Sequence, residues 1–355
     1  MKKVRILSLD GGGIRGIIPA TIMCYVEKKA QEITDNPNLR IADLFDFSAG
    51  TSTGGILTCL YLCPGEDPEG PISKFTAEEA LDLYVKYGYD IFNKSKVKWY
   101  DLKMMFDATQ YSPRVLEKLA KERFGDKRLS QLLRPALITT YNLKTESTFF
   151  FSSREPESKK RDFYLRDVAR STSAAPTYFP PAKIKNLADP NQQMINLDGG
   201  VFANNPTMCA YAEVRDSKFG SLKEPSAKNM QILSIGTGGG NLKIKGVNDS
   251  QKWGILKWAE NIPNIMMDGS ADTVAYEIQS IFNSLESKEL KEQYLRVDVP
   301  VELRDSYSSD MADASSKNIR KLQLAAEQTL KLQKPALDQL IGLLVEELKT
   351  EKAHT

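Results

Sequence analysis

A strand that runs into a glycine-rich turn and then into a helix occurs twice within the first 63 residues. In the first copy, the β-rich run Val4 to Leu9 is followed by three glycines and by Ile17 to Ile33, with apolar residues at helical spacing. In the second, Leu44 to Ser48 precedes a turn at Gly50 to Gly55 and the apolar run Ile56 to Cys63. Strands that alternate with helices favour an open, largely parallel sheet covered by helices on both faces.

The rest of the chain continues this alternation. Further strands are predicted at Leu137 to Tyr141, Ser147 to Phe151, Met194 to Leu197, Met230 to Ile235 and Tyr294 to Val299. Helix start signals intervene, such as the capping box formed by Thr76 and Glu79. We therefore predict a three-layer α/β/α domain with a mainly parallel central sheet over residues 1–315. Residues 316–355 are expected to form C-terminal helices packed on the same domain.

Composition restricts the partners of the chain. Its 355 residues are 41% hydrophobic and 26% charged, as in a globular protein with a sizeable core. The net charge is +2, so no basic field indicates a nucleic-acid polymer as a partner. No run of about 18 apolar residues occurs, and too few apolar residues follow Lys2 and Lys3 for a signal peptide. We therefore expect a cytoplasmic protein.

The histidine content restricts the chemistry. The sequence has one histidine, His354, which lies next to the end of a polar tail. A Ser-His-Asp triad, a histidine-ligated zinc and a histidine general base each need an imidazole held in place. Cys59 and Cys63 are interpreted as buried apolar residues rather than as a metal or redox pair. We expect neither a metal nor a cofactor.

A candidate nucleophile lies in the second glycine turn. Gly50-Thr-Ser-Thr-Gly54 matches the G-x-S-x-G pattern between a strand and a helix, with Ser52 at its centre. The chain reverses sharply there, so a side chain at Gly50 or Gly54 would collide with the neighbouring strand or helix. Such a turn lifts the Ser52 hydroxyl above the sheet, next to the N-terminus of the following helix.

The first glycine turn, Asp10-Gly-Gly-Gly-Ile-Arg-Gly16, allows two interpretations. Its glycines at 11, 13 and 16 satisfy the dinucleotide fingerprint G-x-G-x-x-G, although Asp35, at the right distance for the ribose, follows no strand. Alternatively, the N–H groups of Gly11, Gly12 and Gly13 form an oxyanion hole, and Arg15 adds positive charge or makes a structural ion pair.

A candidate base follows a later strand. Asp198-Gly-Gly200 closes the predicted strand Met194 to Leu197, and we expect it on the same edge of the sheet as the two glycine turns. Without a usable histidine, a carboxylate is the simplest base for Ser52, and burial would raise its pKa toward neutrality. An ordinary turn-forming aspartate remains the alternative. The later turn Gly236 to Gly240 is interpreted as structural.

These motifs, in this order, resemble the patatin-like phospholipase family. The segments Ser173-Ala-Ala-Pro-Thr-Tyr-Phe-Pro-Pro181 and Asn204-Asn-Pro-Thr207 are also similar to that family, and the resemblance extends from about Val4 to Gly240. It implies a Ser-Asp dyad with Ser52 as nucleophile and Asp198 as base. It also implies an oxyanion hole from the backbone of Gly11 to Gly13 and lipid acyl hydrolysis without a metal.

Three functions therefore stay open. The favoured hypothesis is a serine lipid acyl hydrolase that acts on membrane phospholipids or related lipids, with or without activation by a cyclic nucleotide. The others are a dinucleotide-binding oxidoreductase and a storage or interaction protein without activity. An anionic effector would use basic residues such as Lys243, Lys245 and Lys252. Homo-oligomerisation is a further expectation that the sequence leaves open.

Two segments are candidates for peripheral membrane contact. Tyr87 to Tyr111 mixes aromatic residues with four lysines, a composition that suits the interface of anionic lipids. Trp253 to Met267 carries two tryptophans and two methionines. Apolar residues at helical spacing are more often core than anchor, and this alternative stays open for both segments.

Overall fold

The computed structural model describes residues 3–66, 72–93, 109–154, 161–189, 191–239 and 252–353. The strands are β1 (Val4–Leu9), β2 (Phe47–Gly50), β3 (Ala136–Asn142), β4 (Ser147–Ser152), β5 (Ala182–Lys185), β6 (Gln193–Asp198), β7 (Lys218–Phe219), β8 (Leu222–Lys223), β9 (Met230–Ile235) and β10 (Tyr294–Val297). The helices are α1 (Ile17–Thr34), α2 (Ile41–Leu44), α3 (Thr53–Leu62), α4 (Ala77–Ile91), α5 (Arg114–Phe124), α6 (Leu165–Thr172), α7 (Thr207–Arg215), α8 (Ile255–Asn283), α9 (Lys288–Lys291) and α10 (Ser316–Ala353). Short 3-10 turns lie at Gly13–Gly16, Leu129–Gln131, Gly199–Val201, Ala227–Asn229 and Val301–Ser306.

The central sheet is mainly parallel, as predicted. Its strands follow the order β10-β9-β1-β2-β3-β6-β5, and β4 also pairs with β3. All pairs from β10 to β3 are parallel, whereas β4, β5 and β6 join the sheet through antiparallel pairs. A small hairpin, β7-β8, stands apart from this sheet.

The two faces of the sheet carry separate apolar cores. All six residues of β1 are buried, and successive side chains point to opposite faces. Leu7 and Leu9 join the core formed with α1, α3, α4 and α10, whereas Val4 and Ile6 join the core formed with α7 and α8. Helices therefore cover both faces, which confirms the three-layer α/β/α prediction.

The strand before Asp198 runs opposite to the direction that we expected. β6 pairs antiparallel with β3, and Asp198 lies opposite Thr140 in the register. Ile138 of β3 pairs with Gly50 of β2 only two residues earlier. β6 therefore approaches the edge that carries Ser52 from beyond the end of β3, and its last residue, Asp198, lies at that edge. The expectation of a shared edge was correct, but the parallel direction on which it rested was wrong.

Some boundaries also differ from the prediction. β2 begins at Phe47 rather than at Leu44, because Leu44 closes the short helix α2. The short strand β5 was not predicted. The capping box at α4 is confirmed, since the Thr76 hydroxyl accepts from the N–H of Glu79 and the Glu79 carboxylate accepts from the N–H of Thr76.

The C-terminal segment forms one helix, α10, rather than several. Its buried side chains, including Leu337, Ile341 and Leu344, belong to the same apolar core as those of α1. The division into residues 1–315 and 316–355 stays a prediction. Among the described residues, no helix has both the length and the apolar character that crossing a bilayer requires.

Candidate active site

The turn between β2 and α3 presents Ser52 in a strained backbone conformation. Ser52 has φ 53° and ψ −120°, a combination that costs an L-residue about 1–3 kcal/mol. A Cβ added to Gly50 would collide with the carbonyl oxygen of Gly54, and one added to Gly54 would collide with the carbonyl oxygen of Leu9. Glycine is therefore required at both positions for the helix to start this close to the sheet.

The hydroxyl of Ser52 is hydrogen-bonded to Asp198. Ser52 Oγ donates to Asp198 Oδ2 across 2.6 Å, and Asp198 Oδ1 accepts from the N–H of Gly200 at 2.7 Å. Asp198 is 1% exposed. The second hydrogen bond fixes the carboxylate, so that its free lone pairs face the serine.

Burial changes the acidity of this carboxyl group. Removal from water raises the pKa of Asp198 more than the hydrogen bonds from Ser52 and Gly200 lower it, and the net result is a pKa of about 7. A carboxylate with a pKa near neutrality is a much better proton acceptor than one in water. Its position and its raised pKa make Asp198 the candidate proton acceptor for Ser52.

The first glycine turn offers fewer donors than the sequence predicted. The N–H of Gly11 donates to the carbonyl oxygen of Asn204 at 3.0 Å, so Gly11 is wrong as an oxyanion donor. The N–H groups of Gly12 and Gly13 make no hydrogen bond with the described residues, and both glycines line the same cavity as Ser52. Gly13 has φ 60°, which favours glycine, and a Cβ there would collide with the carbonyl of Met311.

Arg15 lies behind this loop rather than in the cavity. It is 5% exposed, and its Nε lies 3.4 Å from the carbonyl oxygen of Gly12. That carbonyl belongs to the peptide whose N–H is that of Gly13, so a cation there polarises the peptide. The prediction that Arg15 itself belongs to the oxyanion hole is therefore wrong, because it contacts the opposite side of the loop.

An apolar cavity adjoins Ser52. Together with the solvent at its mouth, it comprises about 650 Å³ of space. Besides the polar groups of Ser52 and Asp198, its wall is formed largely by side chains from α3, α4 and α5 and from the loop after α6, namely Ile56, Leu83, Ile91, Phe92, Leu116, Tyr178 and Phe179, with Met267 and Met311. This apolar cavity fits a hydrocarbon chain attached to a group at Ser52.

Comparison with known proteins assigns the chain to a family. The profile of the patatin-like phospholipases matches residues 7–211. The chain belongs to the patatin-like phospholipase family. Patatin-like protein 2 of Oryza sativa subsp. indica is 35% identical over 319 residues, which cover 84% of this chain and 76% of that protein. Patatin-like protein 1 of Arabidopsis thaliana is 34% identical and covers 92% of this chain and 81% of its own length.

The name of one patatin relative describes it as probably inactive. "Probable inactive patatin-3-Kuras 1" of Solanum tuberosum is 33% identical over 304 residues, which cover 83% of this chain and 78% of that protein. Family membership therefore supports lipid acyl hydrolysis in general.

Several residues that support the patatin site were not predicted. The N–H of Ser52 donates to the hydroxyl of Thr172 at 2.8 Å, and the Thr237 hydroxyl donates to the carbonyl of Gly11 at 2.7 Å. Each lies beside a motif noted in the sequence, but a threonine there has no local signature. Thr237 belongs to the turn at Gly236, which accords with the structural interpretation of that turn.

A buried ion pair supports the start of the first glycine turn. Arg296 of β10 binds the Asp10 carboxylate through both terminal nitrogens, at 2.9 and 2.5 Å, and also contacts Asp298 at 3.2 Å. Burial lowers the pKa of Arg296, but the two carboxylates outweigh it and hold that pKa above its usual value. The ion pair links the turn to the far strand of the parallel sheet.

The dinucleotide interpretation finds no support at this loop. A second parallel strand, β2, does follow α1, but it ends in Gly50-Thr-Ser52 with no acidic residue for a ribose. The N–H of Ile14 donates to the carbonyl of Met311 at 2.9 Å. The N–H of Ile14 is thus already paired and is not available to a phosphate.

Other predictions fall partly outside the described residues. Residues 94–108 of the first membrane candidate, Lys243 and Lys245 of the effector site, and His354 lie there. Within the described part, Ile91 and Tyr111 are buried, and Lys252 is exposed. Cys59 and Cys63 are buried and unpaired, as predicted. The effector and the oligomeric state stay predictions.

Proposed function

We propose that this protein is a serine hydrolase of fatty-acyl esters in membrane lipids, acting through a Ser52–Asp198 dyad. The observation that carries the proposal is the 2.6 Å hydrogen bond from Ser52 Oγ to Asp198 Oδ2 at the wall of an apolar cavity. Membership of the patatin-like phospholipase family supports the lipid substrate. The raised pKa of Asp198 supports its role as the base.

In the first half-reaction, Ser52 Oγ attacks the carbonyl carbon of the ester while its proton passes to Asp198 Oδ2. The carbonyl oxygen becomes an oxyanion, which accepts hydrogen bonds from the N–H groups of Gly12 and Gly13. Collapse of this intermediate breaks the bond to the alcohol. The alcohol leaves with the proton held by Asp198, and the acyl group stays esterified to Ser52.

In the second half-reaction, water replaces the alcohol. Asp198 accepts a proton from that water, whose oxygen attacks the acyl carbonyl, and the same donors hold the oxyanion. The bond to Ser52 Oγ then breaks, and the proton returns from Asp198 to the serine. The products are a free fatty acid and the regenerated enzyme.

The cavity supports a long acyl chain as the group recognised. Its wall places the apolar side chains of Ile56, Leu83 and Leu116 within reach of a chain bound at Ser52. Each methylene buried there contributes about 0.8 kcal/mol. We propose that the protein acts at the surface of the membrane, because lipids with such chains reside in bilayers.

Release of fatty acid from phospholipid vesicles tests this function. Wild-type protein is compared with Ser52→Ala and Asp198→Asn, each checked for folding by circular dichroism. We expect loss of at least about a thousandfold in both variants. Full activity of either folded variant would refute the dyad. Absence of release by the wild type would instead favour a protein without catalytic activity, which the name of the potato relative gives as probable for that protein.

A further inference from the structure

Helix α8 carries exposed apolar side chains on the side away from the apolar cavity. Trp258, Ile262, Ile265 and Met266 are 41%, 43%, 40% and 50% exposed. At about 100° per residue, these four positions span an arc of about 100° on one side of the helix. We name this set the α8 face. A single helix with so many exposed apolar residues in one arc is unusual for a surface that meets only water.

The opposite side of the same helix lines the apolar cavity. Met267 is 7% exposed and forms part of the cavity wall, about half a turn round the helix from the α8 face. Of the two alternatives that the sequence left open, core or membrane contact, Met267 therefore belongs to the first. The helix has one side toward the cavity and another toward the exterior.

Contacts with the Asp198 loop hold α8 in this place. The N–H of Asn204 donates to the hydroxyl of Ser270 at 3.3 Å, and that hydroxyl donates to the carbonyl of Met267 at 3.0 Å. Gly200, which donates to Asp198, lies beneath the sulfur of Met267. The α8 face is thus fixed next to the site rather than on an unrelated part of the surface.

We propose that the α8 face docks onto the surface of a lipid bilayer and holds the protein there, where its lipid substrate resides. The inference rests on the proposed function, because a lipid substrate must leave a bilayer to reach Ser52. The tryptophan at one end of the face suits the interfacial region of a bilayer.

Charge at the start of the helix agrees with this occupant. Lys252 is exposed, and Lys257 Nζ lies 5.8 Å from the centre of the Trp253 ring. Lysines beside tryptophans favour contact with anionic headgroups.

Binding to vesicles tests the docking surface without any turnover. Ser52→Ala protein is compared with Ser52→Ala protein that also carries Trp258→Gln, Ile262→Gln, Ile265→Gln and Met266→Gln. Vesicles of phosphatidylcholine mixed with phosphatidylglycerol are sedimented, and bound protein is measured. We expect the α8-face variant to bind at least about tenfold more weakly.

A matched control comes from helix α10. Leu324 and Leu332 are 50% and 63% exposed, and Leu324→Gln with Leu332→Gln removes exposed apolar surface elsewhere, from two residues rather than four. We expect this control to bind vesicles like its parent. Equal loss in the control and in the α8-face variant, or unchanged binding in the α8-face variant, would overturn the proposal.

Hydrolysis by otherwise wild-type proteins separates docking from catalysis. The α8-face variant is expected to hydrolyse soluble p-nitrophenyl butyrate within about twofold of the wild type and to lose at least about tenfold on vesicles. If the wild type hydrolyses neither substrate, the proposed function fails. The vesicle-binding comparison would still show whether the α8 face docks onto a bilayer. The α8-face substitutions could instead convert a dimer to a monomer and leave vesicle binding unchanged. That result would identify a second copy of the chain as the partner of this face and would overturn the proposed docking onto a bilayer.

A second measurement tests contact with the bilayer without relying on the fourfold variant, which could misfold. Ser52→Ala protein is mixed with vesicles that contain brominated phosphatidylcholine, and tryptophan fluorescence is followed. We expect quenching that is largely lost when Trp258→Phe is added. Quenching that is absent, or that is unaffected by Trp258→Phe while vesicles bind, would contradict contact of this face with the bilayer.

Discussion

Asp198 Oδ2 lies 2.6 Å from Ser52 Oγ although the strands before the two residues run in opposite directions. β2 ends at this edge of the sheet, just before Ser52. β6 approaches the same edge from beyond it and ends there at Asp198. Both strands pair with β3, so one strand fixes the separation of the two side chains. The hydrogen bond is therefore a consequence of the sheet register rather than of a flexible loop.

The pH dependence of hydrolysis follows from the burial of Asp198. Its pKa is raised to about 7, so the carboxylate that accepts the serine proton forms only as the pH rises through that value. We expect kcat/KM on a soluble ester to fall about tenfold per pH unit below about 7 and to level off above it. The measurement is a pH profile on p-nitrophenyl butyrate. A flat profile from pH about 5.5 to 8 would contradict Asp198 as the base.

Stability should depend on the same carboxyl group. Because the folded pKa of Asp198 exceeds its unfolded value, the native state loses stability as the pH rises from about 4 through about 7. Asp198→Asn removes the buried charge. We expect it to raise the free energy of unfolding by about 2–4 kcal/mol above pH 7, with the gain disappearing toward pH 4. Urea unfolding of both proteins across this pH range measures the gain in the free energy of unfolding. A gain that does not depend on pH would argue against a buried ionised carboxylate.

The backbone strain at Ser52 predicts an order of stability among inactive variants. With φ at 53°, alanine keeps the strain and glycine relieves it. After the entropy lost by glycine is subtracted, Ser52→Gly should be more stable than Ser52→Ala by about 1 kcal/mol. Thermal unfolding of the two proteins gives the answer. Equal stability would mean that the turn relaxes without its serine.

The apolar cavity should determine acyl-chain length. Leu116 lines it from α5, and Leu116→Trp fills space that a chain would otherwise occupy. We expect the ratio of kcat/KM for p-nitrophenyl dodecanoate to that for butyrate to fall by about tenfold or more. Leu116→Met, which has nearly the same volume, should leave the ratio near that of the wild type. An unchanged ratio in folded Leu116→Trp would place the acyl chain elsewhere.

The sequence predicted the elements that depend on local pattern. Strand β1, the G-x-S-x-G turn and the helix at Ile17 follow from a run of β-forming residues, from glycine spacing and from helical periodicity. The direction of β6 did not follow, because a short half-buried strand has the same pattern in either orientation. Long-range pairing with β3 decides it.

The site was predictable only in part for a similar reason. The spacing of the glycines indicated the loop but not which N–H groups face the cavity, because Asn204, nearly two hundred residues away, takes the N–H of Gly11. Similarly, the methionine pair at Met266 and Met267 shows no sign of its division between exterior and cavity, which depends on the rotation of α8. Location in the cytoplasm stays a prediction.

Covalent labelling of the serine tests the central claim most directly. Folded wild-type protein is treated with a fluorophosphonate probe, digested and analysed by mass spectrometry, beside Ser52→Ala and Asp198→Asn. We expect one adduct, on Ser52, which is absent from Ser52→Ala and forms at least about a hundredfold more slowly in Asp198→Asn. An unlabelled Ser52 in folded wild-type protein, or undiminished labelling in Asp198→Asn, would contradict the Ser52–Asp198 dyad.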